Sequence, residues 1–383
     1  MKAVLKPLFI LFLAINILIL ISGKSWMYKA IAITYLKGHA STYIDDFIHF
    51  PANVIETGAH QKWGISNNYN AAKFPDFIIP INDSLETVAF MVIIDDSINY
   101  ERYWHNYSAD TMSNSFSLSK SFVGALIGVA IKEGAINNVD QKVCDFLPQF
   151  CEGKNIELTI GHLLTMSSGL NWTEDYYNPI GQTAEAYYGS DLKRLIMQLK
   201  VVESPGKIFK YHSSCTQILT FVLEAATQKT ISNYASEKLW QPMGAKHFAL
   251  WNTDAKEGDE KGFCCINSNA RDFARLGRLY LNQGNWNGKQ LIDSSYIETA
   301  TSIVGLLDEN GNKNMNYGYH FWVTNYKGMH IYYARGLWGQ YIICIPEKNM
   351  IVVRLGRKFG KYLENGHHHD FYAFIDAALE MYP

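Results

Sequence analysis

The sequence predicts an α/β fold: an antiparallel sheet built from both chain ends, flanked by helices, with a mainly helical domain inserted between. Three observations carry this. Strand-like runs bounded by turn residues occur at 87–104 and return from 315 to 355. Helical patterns dominate from 121 to about 280. The 383 residues, 48% apolar and 18% charged, need a substantial core, in about two to three domains or one large one. The expected division is a leader at 1–23, a discontinuous sheet domain at 24–119 and 282–383, and a helical domain at 120–281.

A net charge of −2 with no basic stripe argues against a nucleic-acid partner. The 24 tyrosines and 20 phenylalanines suit a packed domain with an aromatic-lined cleft.

Residues 1–23 stand apart. Lys2 and Lys6 precede the apolar run from Pro7 to Gly23, and Lys24 follows. This reads as a signal peptide or an uncleaved N-terminal membrane anchor. The run is shorter than the ~20 residues of a spanning helix, and Ile21-Ser-Gly23 is a poor cleavage site. Both readings imply export to the periplasm or attachment to the membrane.

Residues 26–36 suggest a short helix, followed by irregular chain. Thr87–Ile94 is apolar throughout, hence a central strand. Asp95-Asp96 turns into Ser97–Trp104, which alternates and is half-exposed. A loop at 105–115 follows. The apolar run at 122–130 reads as a helix buried on most sides. Ile160–Leu170 predicts a short helix closed by a glycine cap at Gly169. Ser190 looks like the N-cap of an amphipathic helix reaching about Val201. Pro205-Gly206 is a turn, Cys215–Thr227 an apolar helix, and Asn269–Leu281 a strongly amphipathic one. Met315–Thr324, His330–Ala334, Gln340–Ile345 and Met350–Leu355 read as strands, and Asp370–Glu380 as a closing helix.

Six cysteines fit an exported protein. Cys144 and Cys151 bracket a short loop and could bridge. Cys264 and Cys265 are expected to be buried free thiols. No Cys-x-x-Cys pair occurs, which argues against structural zinc. Adjacent His367-His368-His369 point in different directions, so no metal site is expected. A solvated loop with Asp370 as N-cap of the last helix is the expectation there.

Ser-x-x-Lys occurs three times: Ser117–Lys120, Ser190–Lys193 and Ser204–Lys207. Only Ser117 leads into a buried helix. Residues i and i+3 of a helix share a face, about 5–6 Å apart at Cβ, so Ser117 and Lys120 could share a proton. A helix N-terminus favours negative charge, which suits a nucleophile. Tyr211-His212-Ser213 offers an acid/base whose pKa nearby cations would lower; Lys120 could be that cation. His212 reads as a packing or rim residue. Gly336-Leu-Trp-Gly-Gln340 at a strand edge would let a ligand approach backbone N–H groups.

Taken in order, these motifs make the chain resemble the serine hydrolases of the β-lactamase and penicillin-binding type, nearest the class C-like branch. That branch includes 6-aminohexanoate-dimer hydrolases, β-lactamase-like esterases and D-aminopeptidases. The resemblance spans roughly 85 to 380. It rests on Asn114–Phe122, Leu163–Trp172, Pro205–Ser213, Ala270–Gly277, and Gly339-Gln340 with the Ile345-Pro-Glu-Lys348 turn.

The resemblance implies a β-lactamase-like fold and Ser117 as acylated nucleophile. It implies Lys120 and Tyr211 as proton carriers, the work not divided between them. The Ser117 and Gln340 N–H groups would form the oxyanion hole, with Ser213, Trp338 and Gly339 binding substrate. No cofactor is implied. Two departures stand out: Ser213 where class C enzymes carry asparagine, and Leu337-Trp338-Gly339 where they carry Lys-Thr-Gly, a motif that helps bind penicillin carboxylates. Trp338 instead suggests an aromatic wall. The expected activity is therefore hydrolysis of a small-molecule amide or ester. The alternatives are a β-lactamase or D,D-peptidase, and a non-catalytic sensor on the same fold.

Overall fold

The computed structural model describes residues 2–383. Its main sheet has seven strands, in the order Trp322–Tyr326, Met329–Gly336, Gln340–Ile345, Met350–Gly356, Thr87–Ile94, Ser97–Tyr103 and Gly64–Ile65. All pairings are antiparallel except the short last one. The chain's two halves meet where Val352 faces Val92. Thr87–Ile94 is buried along nearly its whole length because both faces are covered. The amphipathic Ala270–Leu281 helix covers one: Gly277 lets it approach Ile342 and Ile351 closely. The His369–Met381 helix covers the other, where Phe374 packs 5.6 Å from Phe90. Apolar burial of this kind stabilises by about 25 cal/mol per Å².

The Ser119–Lys132 helix is buried from Ser119 to Ala130. His320 wedges beside it. Its Nδ1 lies 3.0 Å from Leu164 O, its Nε2 lies 3.0 Å from Thr216 Oγ1, and its carbonyl accepts from Ser121 Oγ at 2.6 Å. One residue thus ties three segments together.

Several local expectations are corrected. The mainly helical middle of the chain also carries strands that its pattern does not predict. Ala249–Asn252 and Ile266–Ser268 join Ala52–Ile55 and Ser113–Asn114 in a second, four-stranded sheet. These strands are too short for alternation to show. The Ile160–Leu164 helix ends well before Gly169, because Met166 already takes a left-handed turn (φ 55°). Asp191, not Ser190, caps the Leu192–Met197 helix by accepting from Arg194 N at 3.1 Å. The first C-terminal strand begins only at Trp322. Cys144 bridges Cys151, as the spacing allows. Cys264 and Cys265 are bonded to each other rather than free. Extended neighbours point apart, but a left-handed Cys265 (φ 74°) turns both side chains to one side.

The first two histidines of the run are buried rather than solvated, His367 1% and His368 4% exposed, while His369 is exposed. His368 occupies the N-cap position, and Asp370 is buried, accepting from Gly360 N at 2.8 Å and Tyr341 OH at 3.1 Å. The local pattern of polar residues did not reveal that the sheet's side chains close over them.

At the N-terminus, Lys2–Ile21 is helical and its side chains from residue 6 are mostly exposed. No single described helix is long and apolar enough to cross a membrane. Lys6–Ile21 and Trp26–Lys37 would do so only together, and they are bent by 115°.

Candidate active site

Ser117 lies in a single 3-10 turn, Phe116–Leu118, that runs directly into the Ser119–Lys132 helix. Phe116 has φ 46°, uncommon for a bulky residue. Its amide is held by Asn114 Oδ1 at 2.9 Å. This sharp turn leaves Ser117 half-buried between two buried neighbours, with its side chain at the wall of a cleft of about 910 Å³.

Lys120 is 1% exposed. Its Nζ donates to Ser117 Oγ at 2.9 Å and to Phe263 O at 2.7 Å. Burial lowers its pKa from 10.5 to about 8, with Glu174 pulling the other way. Desolvation penalises the ammonium, so a useful fraction is free amine near neutral pH.

Tyr211 lines the same cleft. The lowering of its pKa expected from a nearby cation is not the dominant effect. Burial pushes the phenol upward, and the neighbouring Ser117 hydroxyl and Arg335 only partly offset this. Lys120 Nζ stands over the ring, 5.2 Å from its centre. Burial therefore favours the neutral phenol at Tyr211.

Four other predicted positions have different roles. Ser213 opens the Ser213–Thr227 helix with its hydroxyl donating to Glu174, a cleft-lining residue, at 2.7 Å. Trp338 is not a cleft wall: its indole stacks 5.3 Å from Phe359, and Nε1 donates to Thr42 O at 2.8 Å. Gly339 (φ 74°) is required by packing, since a Cβ there would meet an Arg354 nitrogen at 2.1 Å. Gln340 is fully buried and faces Gly336 across the hairpin; its Nε2 donates to Leu337 O at 2.9 Å and Gly356 O at 2.7 Å. The residues of this segment that line the cleft are Arg335, Gly336 and Leu337. The two strands of this hairpin fall where expected, but the cleft is lined by the end of the Met329–Gly336 strand and the residue after it, not by the start of the Gln340–Ile345 strand. The Leu337 N–H has no backbone acceptor among the described residues.

Sequence reasoning missed three side chains. Glu174 accepts from Trp172 Nε1, Ser213 N and Ser213 Oγ, each at 2.7 Å. Trp322 stacks 5.6 Å from Tyr211 and supplies the aromatic wall expected of Trp338. Arg335 lies 3.4 Å from the Trp322 ring centre, and its protein hydrogen bond runs to Gly366 O at 3.1 Å. An arginine in an apolar strand was the one available signal. His212 and His368 are rim residues of the cleft, as is the acidic segment 308–310.

Comparison with known proteins places the chain. The profile of the family described as Beta-lactamase matches residues 74–375. A 6-aminohexanoate-dimer hydrolase of Paenarthrobacter ureafaciens is 24% identical over 306 residues, covering 74% of this chain and 76% of that protein. A Bacillus anthracis structure provisionally described as a 6-aminohexanoate-dimer hydrolase superposes with a TM-score of 0.73 at 22% identity, covering 94% of each chain. A family VIII carboxylesterase structure superposes at 0.61 with 17% identity, covering 80% of this chain and 95% of the other.

Proposed function

The chain belongs to the beta-lactamase family and is a serine hydrolase; from that premise we propose that it cleaves a small-molecule amide or ester through an acyl-enzyme on Ser117. The observation that carries this reading is the 2.9 Å contact from the buried Lys120 amine to Ser117 Oγ in a cleft shared with Tyr211. Lys120 takes the Ser117 proton as Oγ attacks the acyl carbon. The Ser117 and Leu337 N–H groups receive the oxyanion. Collapse breaks the bond to the leaving group, which takes a proton from Tyr211; Lys120 returns one to Tyr211. Water then attacks the ester, its proton passes to Lys120, and Ser117 leaves with that proton.

Export is part of the proposal. It is supported by the apolar N-terminal helix and by two disulfides, which persist in oxidising compartments. One observation favours a second reading, a β-lactam or D,D-peptide substrate: Arg335 puts a cation in the cleft wall despite the missing Lys-Thr-Gly.

A fluorophosphonate probe followed by peptide mass spectrometry tests the mechanism. Labelling is expected at Ser117 and lost in Ser117→Ala; a folded sample labelled elsewhere, or not at all, refutes it. Turnover of 4-nitrophenyl esters without nitrocefin turnover separates the first reading from the second.

A further inference from the structure

The loop 261–265 lies against the start of the nucleophile helix and holds it at two successive carbonyls. Ser119 Oγ donates to Gly262 O at 3.1 Å, and Lys120 Nζ donates to Phe263 O at 2.7 Å. Immediately after Phe263 comes the Cys264–Cys265 disulfide, both residues buried. The bond is anchored on its far side. Trp251 Nε1 donates to Cys264 O at 3.1 Å, and Asn252 N donates to Cys265 O at 3.1 Å. The next residue, Ile266, accepts from Ser115 N at 2.8 Å, two residues before Ser117. The strand that delivers the serine and the carbonyl that aims the lysine are thus joined by three residues, of which two are cross-linked.

From this juxtaposition we propose that the Cys264–Cys265 disulfide is a positioning element for catalysis: it holds the Phe263 carbonyl where it directs Lys120 onto Ser117. The proposal rests on the reading of Ser117 and Lys120 as nucleophile and base. Closing the ring at Cys264–Cys265 removes freedom from the residues next to Phe263. With the bond open, Cys264 and Cys265 recover independent side-chain rotation and Cys265 loses a reason to keep its left-handed backbone. The carbonyl then drifts, water reaches the lysine, and its pKa moves back toward the ordinary value. Forming the bond takes two electrons and two protons from the two thiols. A disulfide-exchanging thiol oxidase of an oxidising compartment is the chemical class of acceptor required.

The test uses the full chain purified without reductant. Peptide mass spectrometry after alkylation should find Cys264 and Cys265 unalkylated and joined; two alkylated thiols in native, active protein would overturn the proposal. The pH profile of Ser117 acylation by 4-nitrophenyl acetate is then compared with that of Cys264→Ser/Cys265→Ser. The expected result is acylation slowed about tenfold or more at pH 7, within the roughly 10²-fold that a 1 Å misplacement of a reacting group can cost. The rising limb should also move to higher pH. A folded double variant with the wild-type rate and profile sinks the idea. If the variant does not fold, the wild-type chain treated with a water-soluble phosphine decides. The phosphine is oxidised to its oxide and the disulfide reduced to two thiols. The same slowing and shift, reversed on reoxidation, supports the proposal, and an unaltered profile with both thiols shown free refutes it. Failure of the underlying site reading looks different, because the untreated wild-type chain would then show no acylation at Ser117 at any pH.

Discussion

The Lys120 ammonium stands over the face of the Tyr211 ring, 5.2 Å from its centre, while its hydrogen bonds go to Ser117 Oγ and Phe263 O. A cation so placed is attracted to the ring face. Burial moves the two groups in opposite directions: the lysine is pulled down and the tyrosine pushed up.

Acylation should follow the free amine of Lys120. Its pKa is depressed to about 8, so the rate should rise with pH around 8 and level off above it. Lys120→Met should lower the acylation rate by about 10²–10⁴-fold, the usual contribution of a positioned base. Burst kinetics with 4-nitrophenyl acetate between pH 6 and 9.5 measure both.

Tyr211→Phe should separate esters from amides. 4-Nitrophenolate leaves without a proton, so ester turnover should fall only modestly. Release of an amine needs the donor, and turnover of the matching 4-nitroanilide or alkylamide should fall by about 10²-fold or more. Equal losses on both substrates would contradict a leaving-group role.

Arg335 should recognise an acidic group. Inhibition of 4-nitrophenyl acetate turnover by hexanoate should be about tenfold stronger than by hexanamide, as expected for one hydrogen bond to a charged partner. Arg335→Met should equalise the two. A wild-type enzyme that does not distinguish them refutes the assignment.

Gly339→Ala tests whether the glycine serves substrate or packing. Its left-handed backbone and the 2.1 Å approach to Arg354 predict a loss of about 2 kcal/mol or more in urea unfolding. Activity per folded molecule at low temperature should be retained.

His320 should make the fold acid-sensitive. Burial holds its folded pKa at about 3, against 6.5 when unfolded. The unfolded chain then binds the extra proton, so stability is full above pH 6.5 and is lost as pH falls from 6.5 toward 3. The slope is at most about 1.4 kcal/mol per pH unit for this residue. His367 and His368 are held near 3 in the same way and add to it. His320→Gln should flatten the dependence seen in urea midpoints at pH 7, 5.5 and 4.5.

What the sequence by itself determined is local. The Ser117–Lys120 spacing placed a hydroxyl and an amine on one face, and the apolar run after them predicted a buried helix. The wholly apolar Thr87–Ile94 announced a strand covered on both faces. The Tyr211 loop followed a legible Pro-Gly turn. Tertiary structure decided everything that depends on register. Side chains alternate across a strand, and the pairing of Gly336 with Gln340 decides which residues of the hairpin face the cleft. That is why Arg335, Gly336 and Leu337 line it while Trp338, Gly339 and Gln340 turn inward to Phe359, Arg354 and Gly356. Tertiary structure also set the ionisation of Lys120 and Tyr211, because desolvation depends on segments distant in sequence: Phe263, Glu174 and Trp322 all come from elsewhere in the chain.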